Sequence, residues 1–266
     1  KGLGTSGLAA LNLAIPVYSF IHGTGLMFGI GGATKFSISR KSGLSDLIFT
    51  NTLFFAGFTA LLFFLAGLFL SPQITALLGA DSQVAAMTQT YLKMILLFAP
   101  AFILNDILVC FVRNDGNPRL SMLAMLGGSI ANILLDYVFI FPLGMGIFGA
   151  VLAPLISIAI MSGHWMGKNK GFHLAKTEIQ GQTALLILSL GFPSLITEVS
   201  SGIVIIVFNV IILGLKGNVG VAAYGVIANL SLVVISIFTG IAQGMQPLIS
   251  SAYGRGDSAR IRGILR

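Results

Sequence analysis

LSMLAMLGGSIANILLDYVFIF, residues 120–141, holds a single charged side chain, Asp136, in an otherwise apolar and small-residue run. At about 1.5 Å rise per residue such a helix spans about 30 Å, the thickness of a bilayer's hydrocarbon core. The run is too long for a barrel strand and does not alternate with period two. It reads as a transmembrane helix.

The rest of the chain repeats that pattern. Apolar windows run over Leu8 to Thr34, Leu47 to Leu70, Val84 to Val112, Leu120 to Phe141, Ile147 to Gly167, Thr183 to Leu215 and Val221 to Ser251. Seven spans are therefore expected, in an all-α integral membrane protein. Composition agrees: 56% of the 266 residues are hydrophobic, 9% are charged, and the mean hydropathy is +0.97. Soluble domains carry about a quarter charged residues, which excludes that class and disorder with it. One cysteine, Cys110, excludes an intrachain disulfide framework. The net charge of +7 does not point to nucleic acid, because the basic residues follow the loops.

Lys35, Arg40 and Lys41 follow the first span, Arg113 and Arg119 the third, and Lys168, Lys170 and Lys176 the fifth. Arg255, Arg260, Arg262 and Arg266 follow the seventh, whereas the opposite side has only Lys1, Lys93 and Lys216. This bias places the last residue in the cytoplasm and the first outside, in a plasma or inner membrane. Residues 168–182 (KNKGFHLAKTEIQGQ) read as a cytoplasmic linker between residues 1–167 and 183–266.

A shift of 213 residues lays the first span on the seventh. Gly4 meets Gly217, Gly7 meets Gly220, Gly31 meets Gly244, Ser37 meets Ser250, and Gly43 meets Gly256. Both copies end on the basic side, as in transporters made of two like-oriented bundles. The chain opens on Lys1 rather than Met and has no signal-peptide layout. The expectation is five helices of a first six-helix lobe and two of a second, with helices missing before Lys1 and after Arg266.

Acidic side chains inside a span cost roughly 2.5–3.5 kcal/mol each on insertion scales, which marks them as functional candidates. Asp106, Asp136 and Glu198 lie within spans, and no Lys or Arg is expected beside them, so a structural ion pair is a poor explanation. Asn132 and Asp136 share a helix face with Ser129, so a carboxylate and an amide could hold a proton or a cation such as Na⁺ there. Glu198 follows Pro193, whose missing N–H frees a carbonyl nearby. Asp106 lies seven residues before Arg113, where a solvated role and a functional one both remain open. Gln243 and Gln246 fit either helix glue or substrate contact. His22 reads as a packed neutral histidine by default, with a proton relay as the alternative, and Gly25-x-x-x-Gly29 as close helix packing. No nucleotide motif, metal-ligand cluster or catalytic triad spacing is present, which argues against an enzyme and against a bound cofactor.

FVRNDGNPRLSMLAMLGGSIANILLDYVFIFPLGMGIFGAVLAP, residues 111–154, resembles the third-to-sixth helix region of multidrug and toxic compound extrusion (MATE) transporters. Arg113-Asn114-Asp115-Gly116-Asn117-Pro118 and Asn132-x-x-Leu-Asp136 are its most specific parts. GLAALNLAIPVYSF…SISRKSG is similar to the family's second helix and IAQGMQPLISSAYGRGD to its eighth. The resemblance implies helices two to eight of twelve, and an antiporter, monomeric at full length, that exchanges H⁺ or Na⁺ for bulky organic cations and amphipathic drugs. It also implies that Asn132 and Asp136 form the cation site of the first lobe and that Glu198 holds the acidic position of the seventh helix. Pro154 stands where many members carry a Thr, which favours H⁺ over Na⁺. Two alternatives stay open: a lipid-linked saccharide flippase, which should line its cavity with Arg or Lys, and a complete seven-helix receptor or retinal pump.

Overall fold

The computed structural model describes residues 4–80, 82, 84–143, 148–165 and 171–266. Lys1, Asp81, Ile147, Lys168 and Lys170 lie outside the described residues, as do the side chains of Lys41 and Lys216. The described residues form helices α1 (Gly4–Ile38), α2 (Ser45–Phe69), α3 (Ser71–Leu77), α4 (Ala85–Leu97) and α5 (Ala99–Asn114), then α6 (Pro118–Ile140), α7 (Phe148–Trp165), α8 (Gly181–Gly254) and α9 (Ser258–Ile264). The all-helical expectation holds.

The third expected span is a bent pair, α4 and α5, at 47° to each other. Pro100, in the first turn of α5, has no N–H to continue the hydrogen-bond ladder, so the chain turns there. Pro118 and the Asn117 cap start α6: the Leu120 N–H donates to Asn117 Oδ1 at 3.2 Å. Gly116 closes the preceding turn at φ +86°, a conformation that a side chain disfavours.

The sixth and seventh spans join in α8, which is helical throughout and still folds back. Phe208 and Tyr224 stack with ring centroids 5.5 Å apart, although sixteen positions along a straight helix span about 24 Å. Both arms also return to α1. Gly191 packs on the backbone of Met27, and Gln246 reaches Thr34 Oγ1 at 2.8 Å. The turn expected near Lys216–Gly220 is therefore a reversal made without leaving helical geometry. Local sequence permits this: no proline lies between Pro193 and Pro247, and each glycine in that stretch costs about 1 kcal/mol in a helix, against about 3 for Pro.

α1 is the centre of the bundle. Added Cβ atoms at Gly31 and Gly191 would collide with the backbones of Ile187 and Met27, so these positions let α1 and the first arm of α8 approach closely. Gly25 and Gly29 instead face α5 at Asp106 and Cys110, in keeping with the packing reading of that pair. The 213-residue offset has a structural echo, since Gly43 and Gly256 both adopt left-handed φ, 70° and 72°.

Residues 171–180 of the expected linker are not helical. Residues 171–180 run extended along α2: the Thr50 hydroxyl donates to Ala175 O (3.3 Å), the Asn51 amide donates to Glu178 O (3.0 Å), and the Gln180 N–H donates to Asn51 Oδ1 (2.8 Å). Phe172 plugs the end of this strap into a cluster with Phe36, Phe49 and Phe111, centroids 4.6–5.9 Å away. The outward faces of α2, α6 and α8 expose large apolar side chains such as Phe58, Leu123 and Phe238. That surface suits lipid.

Candidate functional site: an internal cavity with buried charge

A cavity of about 780 Å³ lies between α1, α5, α6, α7 and both arms of α8. Its position follows from the bundle: α5 supplies one wall through Phe102, Asp106 and Arg113, and α6 faces it with Ser129 and Asn132. Glu198 comes from the first arm of α8 and Gln243 from the second.

Of the two acids on the cavity wall, Asp106 is the one with a side-chain partner. His22 Nδ1 lies 2.9 Å from its Oδ2, and the side chain of Asp106 is only 9% exposed. Tyr18 stacks parallel to His22 at 6.0 Å and meets Phe102 edge-on at 5.4 Å, forming an aromatic shelf beside the pair. Gly25 makes room for the carboxylate, since a Cβ there would collide with Asp106 Oδ2.

Two expectations change here. Asp106 is buried rather than solvated, and it has a partner: an acid with no neighbouring cation was expected, yet His22, read as a lone packed histidine, is 84 positions away in sequence and adjacent in space. Arg113, placed in the cytoplasmic loop by charge counting, is also 9% exposed and lines the cavity. Its Nη1 donates to Gln243 Oε1 at 2.7 Å.

The remaining candidates divide. Asn132, Ser129, Glu198 and Gln243 line the cavity, whereas Asp136, expected on the same helix face as Asn132 and Ser129, does not. The Ser129 hydroxyl, however, donates to Met125 O (2.9 Å) on its own helix. Gln246 does not line it: it accepts from Asn114 Nδ2 (2.9 Å) and donates to Thr34 and Ser250, which is the helix-glue role. Asp136 is half-buried one turn beyond Asn132, with Oδ1 shielded from solvent, and is not among the lining residues.

Tyr18, His22, Arg113, Asn105 and Ser157 belong to the wall and were not singled out from sequence as site residues. Asn105 Oδ1, Ser157 Oγ and Arg113 Nε are buried without a hydrogen-bond partner. Buried polar atoms are nearly always satisfied, so three such atoms on one cavity point to an occupant, water or ligand. Asn105 was visible beside Asp106; nothing in spacing marked Ser157.

A carboxylate in a wall of Phe, Tyr, Met and Ile can attract an organic cation by charge, while the aromatic faces add cation–π attraction. Protonation of that carboxylate removes the charge term. The site can therefore trade a proton for a cation.

The family model described as MatE matches residues 1–138 and 193–266. The multidrug export protein MepA of Staphylococcus saprophyticus is 31% identical over 97% of this chain and 59% of its own length. MepA of Staphylococcus aureus (strain MRSA252) is 32% identical over 91% of this chain and 56% of its own. The solved structure of the MATE multidrug transporter DinF-BH superposes with a TM-score of 0.85 at 26% identity, covering all of this chain and 61% of that one. The chain thus spans rather more than half the length of the curated relatives it matches.

Proposed function

Because the chain belongs to the MatE family of multi-pass membrane proteins, we propose that its cavity is the substrate chamber of a secondary antiporter that exports organic cations and amphipathic drugs in exchange for protons. The observation that carries this reading is the placing of Asp106 and Glu198 on one cavity of about 780 Å³ whose wall is otherwise largely apolar and aromatic. That volume suits a drug-sized ligand. The relatives named as multidrug export proteins support it.

The cycle rests on competition. Ionised Asp106 and Glu198 favour an organic cation, and protons arriving from outside replace it. His22 holds the Asp106 carboxylate in one orientation, and Tyr18, Cys110 and Glu198 line the same chamber. Asn132 and Asp136 form the cation site the family resemblance implies, Asn132 on the chamber wall and Asp136 one turn on. H⁺ is the coupling ion favoured over Na⁺ because Pro154, on the same wall, offers no hydroxyl ligand. We place the Arg255–Arg266 end in the cytoplasm on the positive-inside bias, in the plasma membrane, and take the full-length protein as a monomer.

A saccharide flippase needs a cationic chamber for its lipid phosphates. Arg113 is a cation on this wall, but two carboxylates oppose it, so that reading ranks second. Family membership sets aside the receptor and retinal-pump readings. The test is an assay on inverted vesicles containing the full-length protein, energised to an acidic interior. Adding an organic cation should dissipate the pH gradient. A gradient that stays unchanged with verified protein present would overturn the proposal.

A further inference from the structure

Arg113 carries more positive charge than its surroundings use. Its side chain is nine-tenths buried at the end of α5, and among the described residues it forms no salt bridge. Of its five N–H donors, Nη1 serves Gln243 Oε1 at 2.7 Å, Nη2 points at Cys110 Sγ at 3.6 Å, and Nε–H has no partner. Neither acceptor is charged: one is an amide, the other a thiol sulfur. A buried guanidinium left with neutral partners costs free energy unless an anion completes it. The side chain lines the chamber, so the space beside it is open to a ligand.

Its position relative to the acids sets what that ligand is. Asp106 and Arg113 are seven residues apart on one helix, two turns along the same face, so their charges are separated by about 10 Å along α5. Both line the chamber. The wall is therefore bipolar, with the His22–Asp106 pair and Glu198 at one level and an under-coordinated guanidinium at another.

We propose that Arg113 is an anion-binding subsite of the chamber, which admits zwitterionic amphiphiles whose carboxylate pairs with Arg113 while their cationic centre lies toward Asp106 and Glu198. This rests on the chamber being a substrate site, as above. The planar fork of arginine suits a carboxylate, which can take the Nε–H and an Nη–H together. Gln243 orients the guanidinium from the second arm of α8 and leaves that edge open. A ligand whose two charges are only a few ångströms apart, such as a phospholipid headgroup, cannot reach both levels at once.

The test uses two fluorescent styrylpyridinium dyes of equal length, one with an N-octyl tail and one with an N-(7-carboxyheptyl) tail, long enough for its carboxylate to reach Arg113 while the ring lies at the level of Asp106. They share a cationic ring and differ in the carboxylate. Affinities are measured by polarisation on the purified chain in nanodiscs. In Arg113→Gln the carboxylate dye should bind about tenfold more weakly, the loss of one charge-assisted contact, while the octyl dye binds as tightly or more tightly. Gln243→Glu keeps the arginine and gives it a carboxylate partner, so it should weaken the carboxylate dye in the same way and covers the case in which Arg113→Gln does not fold. Glycerophosphocholine at millimolar concentration should displace neither dye. Equal weakening of both dyes, no weakening of the carboxylate dye in Gln243→Glu, or displacement of the carboxylate dye by glycerophosphocholine while the octyl dye still binds, would overturn the subsite alone. Failure of both dyes to bind the unsubstituted protein would overturn the chamber reading and the subsite with it.

Discussion

His22 on α1 and Asp106 on α5 share a 2.9 Å hydrogen bond across the wall of the chamber, 84 positions apart in sequence. The bond joins the two helices at the level where Tyr18 and Phe102 meet, and it gives a buried carboxylate the partner that its burial demands. Substituting one member leaves the other unsatisfied. His22→Leu should cost about 1–3 kcal/mol of stability, and the double variant His22→Leu/Asp106→Leu should recover part of it. Thermal unfolding in detergent measures this, and a double variant less stable than the sum of the two singles would contradict it.

The close contact of α1 with the first arm of α8 depends on positions without side chains. Gly31→Ala drives a Cβ into the Ile187 carbonyl, so it should lower the yield of folded protein, as overpacking by a methyl group costs about 1–3 kcal/mol. Gly57→Ala on α2, where an added Cβ meets nothing within 4 Å, is the control. Size-exclusion profiles of the two should separate clearly; identical profiles would mean the helices are not in contact as described.

Asp115 ties the strap to the helix ends. Its carboxylate accepts from Arg40 Nη2 (2.9 Å) and from the Gly171 N–H (3.0 Å), and His164 Nε2 lies 3.0 Å away. Asp115→Ala removes these bonds together, so limited proteolysis within residues 171–180 should become several-fold faster. An unchanged cleavage rate would show that the Phe172 cluster and the hydrogen bonds to α2 hold the segment without Asp115.

Asp136 and Asp106 make different demands on transport. In the full-length protein Asp136→Asn should abolish proton-linked efflux at equal expression, because the carboxylate next to Asn132 then cannot release a proton. Asp106→Asn should weaken binding of an organic cation about tenfold, since one charge facing the ligand is lost. Wild-type-like drug resistance in the Asp136→Asn strain would remove that residue from the coupling path.

Helix positions were legible because spanning a bilayer imposes about twenty apolar residues in a row, a signal carried by each segment alone. The reversal in α8 was placed near Lys216, and the stacking of Phe208 on Tyr224 agrees. Packing was less legible. Asn132 and Ser129 were found because helical spacing puts them on one face, whereas no local pattern could pair His22 with Asp106. Arg113 was misassigned for a physical reason: charge counting treats every terminal arginine as solvated, and it cannot distinguish one facing water from one turned into an internal chamber. Gln243 and Gln246, three residues apart, split between chamber and glue although α5 bonds both, through Arg113 and Asn114, because only Gln246 is also held by Thr34 of α1.

The central claim is that buried acids in this chamber trade protons for an organic cation. It is tested most directly by adding tetraphenylphosphonium to the purified protein in weakly buffered detergent solution and reading the pH. Binding should release protons and acidify the medium, and the Asp106→Asn/Glu198→Gln double variant should not. Saturable binding of the cation with no proton release would contradict the claim.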